Sequence, residues 1–223
     1  MKIAVVLSGS GVFDGAEIHE SVLTLLALCK RGIEHDVIAP NVDQYHVINH
    51  VTGTEMNETR NVLIESARIA RGEIKDLSEV KSTDYDALIL PGGFGAAKNL
   101  FDFAIKQNAD YTILPMLKSF ICAFRDAGKP VGFICISPMM IPEIYPKGVK
   151  LTIGNDSETA KVAMEKGATH VDTKVDEICV DYENQIVSTA AYMTQSSIYE
   201  ISLGIDKLVE KVCELAKNTA PLS

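Results

Sequence analysis

Short apolar runs that stop at glycine or proline, each followed by a segment of helical period, constrain this chain more than any other feature. Lys2 to Leu7 is apolar after its first residue and stops at Ser8-Gly9-Ser10-Gly11. A strand buried on both faces reads this way. His35 to Ala39 is a second such run, closed by Pro40, and Tyr85 to Leu90 ends at Pro91-Gly92-Gly93. Pro130 to Ile134 leads straight into Cys135, and Lys150 to Ile153 is a further strand. Helical period predicts helices over 16–30, 59–70, 95–106, 112–127, 156–166 and 195–217, with a short one over 138–145. The first should bury Leu23, Leu26 and Ala27; the last carries Ile198, Ile201, Ile205, Leu208, Val209, Val212 and Leu215 on one stripe. Two short strands, about 175–181 and 185–189, flank Tyr182-Glu183-Asn184 and predict an antiparallel hairpin. The stretch 41–57 mixes Asn, Asp, His and Gly and reads as an excursion.

This β-α alternation predicts an α/β fold of flavodoxin-like type: an open, mostly parallel sheet with helices on both faces and a small hairpin late in the chain. No linker, repeat or low-complexity tract interrupts it, so 1–223 reads as one domain. Ligands of such sheets bind beyond the carboxyl ends of the strands, which here means 8–17, 91–97 and 135–138.

Composition narrows the partners. Thirty acidic against 21 basic residues give a net charge of −9. That disfavours nucleic acid and anionic membranes, which need basic stripes, and favours a small molecule. The apolar start ends at Gly9, too short for a signal-peptide core or a membrane span. The five cysteines, at 29, 122, 135, 179 and 213, are odd in number and form no C-x-x-C. This excludes a fully paired disulfide framework, gives zinc no support and suits a reducing compartment. A cytoplasmic protein without metal or cofactor is expected.

Cys135 differs from the other four thiols, which lie in helices or a strand among apolar neighbours and read as small hydrophobic filler. It stands where a strand meets a helix, as in the nucleophile elbow of hydrolases. A helix N-terminus there would lower the thiol pKa. A buried strand-end cysteine is the bland alternative. The amides of Gly93 and Ile136 are candidate oxyanion donors, although Pro91-Gly92-Gly93 is also an ordinary tight turn. Gly9, Gly11 and Gly15 miss the dinucleotide spacing, and no P-loop lysine follows. Glu17 opens the first helix beside the first strand's carboxyl end. If buried, its carboxyl would have a raised pKa and could serve a thiolate; a solvated, dipole-favoured Glu is the alternative. His46 and His50 are spaced like metal ligands but lack a third partner and read as loop residues. His19 and His50 are candidates for the mouth of the site, with Gly11 and Asn155 as further lining residues. His35 and His170 read as structural.

These segments resemble the ThiJ/PfpI superfamily, whose fold is like that of class I glutamine amidotransferases. The match runs through Leu7 to Glu20, Val47 to His50, Thr59 to Glu65, Leu90 to Leu100, Gly132 to Pro138, Leu151 to Gly154 and Ala191 to Met193, and it points to the ElbB-like branch associated with isoprenoid biosynthesis. The resemblance implies Cys135 as nucleophile, Glu17 as the carboxyl facing its thiol, Gly93 and Ile136 as oxyanion donors, and a homodimer. It also implies a cofactor-independent, glutathione-independent glyoxalase that turns methylglyoxal or glyoxal into a hydroxy acid through a cysteine hemithioacetal. Ile136 follows Cys135, and Gly154-Asn155 occupy the later region where many relatives carry a histidine. A Cys–His pairing therefore does not carry over, which argues against an amidotransferase. The alternatives are a redox-sensing or small-molecule-binding protein using the same thiol, and a cysteine amidase or peptidase.

Overall fold

Over residues 1–219, which this computed structural model describes, strands and helices alternate along most of the chain. The strands are β1 Lys2–Val6, β2 Glu34–Ala39, β3 Val47–Ile48, β4 Glu55–Met56, β5 Ile74–Asp76, β6 Ala87–Leu90, β7 Val131–Ile134, β8 Lys150–Leu151, β9 Thr169–His170, β10 Cys179–Asp181 and β11 Ile186–Thr189. The α-helices are α1 Ile18–Lys30, α2 Val62–Ile69, α3 Phe103–Lys106, α4 Pro115–Asp126, α5 Ser157–Glu165 and α6 Ile198–Thr219.

Seven strands form one sheet in the order β10-β11-β7-β6-β1-β2-β5. Every neighbouring pair is parallel except β10 with β11, the hairpin expected from the turn at Tyr182. From β1 the chain goes outward to β2 on one side and returns to β6 on the other. Strand order therefore reverses at β1, and the carboxyl ends of β1 and β6 open a crevice.

Side chains alternate across the sheet and build two cores. Ala4, Val6, Leu88, Leu90, Val131 and Phe133 face α4 and the short helical turns of Ser137–Glu143. Ile3, Val5, Leu7, Ala87, Ile89 and Val187 face α1 and α6. The α6 stripe buries Ile201, Ile205, Leu208, Val209, Val212 and Leu215, while Ile198 at its start is exposed.

Several expectations need correction. The face α1 turns inward carries Glu20, Ser21, Thr24, Ala27 and Leu28, whereas Leu26 is exposed. Buried hydroxyls explain how this face is tolerated: Ser21 Oγ donates to the Glu17 carbonyl at 2.7 Å and Thr24 Oγ1 to the Glu20 carbonyl at 2.8 Å. Cys29 on this helix is exposed, so it is not core filler. The helix expected over 95–106 is a π-helical turn, Ala96–Leu100, and the short α3, parted by Phe101, which bridges to Ile113. Because 112–114 are used there, α4 begins only at Pro115, a residue suited to a helix start. Lys150–Leu151 lies outside the main sheet and pairs with β9. Within 41–57, β3 and β4 form a small hairpin.

Candidate functional site

The site grows from the end of β7. Cys135 donates its backbone N–H to the Thr189 carbonyl of β11 at 3.0 Å, and its φ of 62° turns the chain out of the sheet. A left-handed residue between strand and helical turn is the geometry of a nucleophile elbow. Beside it, Gly92 ends the β6 segment at very close range: a Cβ there would lie 2.5 Å from Cys135 Cβ and 3.0 Å from its Sγ. Only glycine fits that approach. The backbone N–H groups of Gly93 and Ile136 both donate to the Cys135 sulfur.

The carboxyl that meets the thiol is Glu20, one turn into α1 and fully buried. Its Oε2 accepts the Gly92 N–H at 2.8 Å and its Oε1 the Tyr192 N–H at 3.4 Å, and it hydrogen-bonds the Cys135 thiol. Burial, and then the nearby Glu17 carboxylate, raises the Glu20 pKa from 4.5 to about 8. Glu20 is therefore mostly protonated at neutral pH. Burial and the Glu20 charge push the Cys135 thiol upward, while the two N–H donors pull it down. Thiol and carboxyl are thus a hydrogen-bonded pair, each pushed toward its protonated form by burial.

Glu17, expected to face the thiol, is the N-cap of α1: its Oε2 accepts the Glu20 N–H at 2.8 Å. It lines the same cavity as Cys135 without being the thiol's hydrogen-bond partner. The cavity, of about 620 Å³, is also walled by Val12, Phe94, Ala97, Lys98, Phe103, Asp156, Glu158, Tyr192 and Met193. No histidine is among its lining residues, so no imidazole meets the thiol there. His19 stands behind the wall, its Nδ1 2.6 Å from the Tyr192 hydroxyl. His50 lies outside the lining and fastens a loop: its Nε2 accepts the Phe13 N–H at 3.2 Å, and its Nδ1 sits 3.0 Å from the Ile48 carbonyl. Gly11 packs against that ring, and Asn155 lines a different, polar cavity with Asp172 and Thr194. His46 sits 3.4 Å from Lys98 Nζ.

Two residues escaped the sequence reading. Glu20 was legible only from its place on the stripe with Thr24, Ala27 and Leu28, a stripe that faces the sheet. Lys98 was hidden because an ideal α-helix over 95–106 gives no reason to aim it at the site. The π-helical turn carries it to the cavity wall, where burial lowers its pKa.

Comparison with known proteins fits this arrangement. The chain is 42% identical over 224 residues to human "Glutamine amidotransferase-like class 1 domain-containing protein 3, mitochondrial", covering 96% of this chain and 83% of that protein. It superposes on an isoprenoid biosynthesis protein with an amidotransferase-like domain from Ehrlichia chaffeensis with a TM-score of 0.88 at 36% identity, covering 96% of this chain and 99% of the other. A glyoxalase III from Candida albicans shares the fold at 17% identity and a TM-score of 0.62, covering 94% and 96% of the two chains. The cytoplasmic expectation is overturned by the human protein and by the rat and zebrafish ES1 proteins, all named mitochondrial. Unpaired thiols signal a reducing compartment and do not tell one such compartment from another. A family model described as the DJ-1/PfpI family matches residues 2–200, and the chain belongs to that family.

Proposed function

We propose that the protein is a cofactor-independent glyoxalase-type enzyme that converts a 2-oxoaldehyde into a 2-hydroxy acid at Cys135. The observation that supports this best is a thiol flanked by a protonated carboxyl and two backbone N–H donors at the wall of a cavity. In this reading the Cys135 thiolate attacks the aldehyde carbon, forming a C–S bond while the carbonyl π pair moves to oxygen. The Gly93 and Ile136 N–H groups, which flank the sulfur, stabilise that alkoxide, and Glu20 protonates it. The resulting Glu20 carboxylate, a strong base for its kind because it is buried, takes the proton from C1. Glu20 returns that proton to C2 while the C1 hydroxyl proton passes to the C2 oxygen, giving a thioester. Glu17 takes a proton from water as it attacks and passes it to the departing sulfur, which releases the hydroxy acid and the thiol. One water is consumed; the aldehyde carbon is oxidised by as much as the ketone carbon is reduced.

The test is lactate formation from methylglyoxal. Cys135→Ala and Glu20→Gln should each lower kcat/KM by about a hundredfold or more, the scale of a lost nucleophile or general acid–base group. Equal turnover by wild type and Cys135→Ala would remove the proposal. The same donor-flanked thiol also fits a redox sensor. That reading gains if no lactate forms and mild peroxide converts Cys135 selectively to sulfenic or sulfinic acid.

A further inference from the structure

The cavity is far larger than methylglyoxal needs, since that molecule carries only a methyl group beyond its two carbonyl carbons. About 620 Å³ is the size of a site for a more extended ligand. Val12, Ala97, Phe103, Val162 and Met193 give it apolar walls suited to a hydrocarbon spacer. Lys98 is the one cation among its lining residues.

The Lys98 ammonium is held in place without being neutralised. Its Nζ donates to the Phe13 carbonyl at 2.8 Å, lies 3.4 Å from His46 Nε2 and sits 5.4 Å from the centre of the Phe94 ring. None of these partners is anionic, and no ion pair of Lys98 is found among the described residues. An ammonium has three N–H donors, so one remains for a ligand. Asp14, which acts on Lys98 from farther off, already accepts the Ile48 N–H at 2.8 Å. The π-helical turn that aims this side chain is a feature often placed at functional sites.

We infer that Lys98 receives a carboxylate at the far end of the substrate, so that the site takes a 2-oxoaldehyde bearing an apolar spacer and a terminal carboxylate. This rests on the glyoxalase reading above. A single negative charge fits better than a phosphate dianion, because Glu17, Asp156 and Glu158 also line the cavity. The far carboxylate is unchanged in the reaction: R–CO–CHO and water give R–CH(OH)–COOH, a 2-hydroxy dicarboxylic acid.

The experiment compares 4,5-dioxopentanoate with its methyl ester in wild type, Lys98→Met, Lys98→Gln and Lys98→Arg, with Tm confirming that each variant folds. Wild type should favour the acid by at least about tenfold in kcat/KM, some 1.4 kcal/mol. Lys98→Met and Lys98→Gln should bring that ratio close to one, and Lys98→Arg should restore part of it. A wild-type ratio near one, or a ratio that survives both neutral substitutions, overturns the inference. A second readout needs no turnover: glutarate should slow alkylation of Cys135 by iodoacetamide in wild type and have no such effect in Lys98→Met. If no 2-oxoaldehyde is turned over, the glyoxalase reading falls. Glutarate protection that depends on Lys98 then upholds the carboxylate subsite, and its absence removes it.

Discussion

Glu20 concentrates the chemistry of the site into one proton. Its pKa lies at about 8 in the fold against an ordinary 4.5, so between those values the folded state holds a proton that the unfolded chain has released. Stability contributed by this group is complete below the lower value and is lost as pH rises through the upper one. Wild-type Tm should therefore fall across that window, and Glu20→Gln, which cannot ionise, should flatten the fall; an unchanged slope would reassign the titration. The residue was hard to find because α1 is read out of phase by hydrophobicity alone. Val22 and Leu26 are about half exposed while Glu20, Ser21 and Thr24 are fully buried. Polar groups were free to turn inward there because each found a partner: two hydroxyls on backbone carbonyls, one carboxyl on amides and a thiol. Cys135 was legible because a strand-end position needs only local pattern. Its hydrogen-bond partner comes from another element and needed the packed sheet.

At the scale of elements, the strands β1, β6 and β7 were readable because central parallel strands are continuous apolar runs bounded by Gly and Pro. The segment after β6 was not. Its composition suits a helix, and only the pairing of Phe101 with Ile113 shows why the helix is interrupted. The turn between β6 and that segment is the tightest constraint on the site. Gly92→Ala must move the elbow or the sheet, at about 1–3 kcal/mol for an overpacked position. Urea denaturation should show the loss, and iodoacetamide should react with the displaced Cys135 at an altered rate; wild-type values for both would show that the turn yields easily.

Across the whole molecule, two cores clamp the sheet, and the face toward α1 and α6 carries the thiol-bearing turn. Leu208 of α6 is fully buried over Gly132 of β7, where a Cβ would come within 2.9 Å of its Cδ2. Leu208→Ala should cost about 2–5 kcal/mol of unfolding free energy by opening a cavity beneath the strand that bears the nucleophile. A loss well under 1 kcal/mol would mean the layers close over the gap. The division of labour between centre and margin has an evolutionary meaning. Thiol and N–H donors stand at the ends of the adjacent central strands β6 and β7, and the carboxyl on the helix that follows β1. The cavity walls come from the π-helical turn, α3 and α5 at the periphery. Peripheral segments can drift in sequence without disturbing the reacting atoms, so one chemistry on this scaffold can be handed to new substrates by changing only its outer walls.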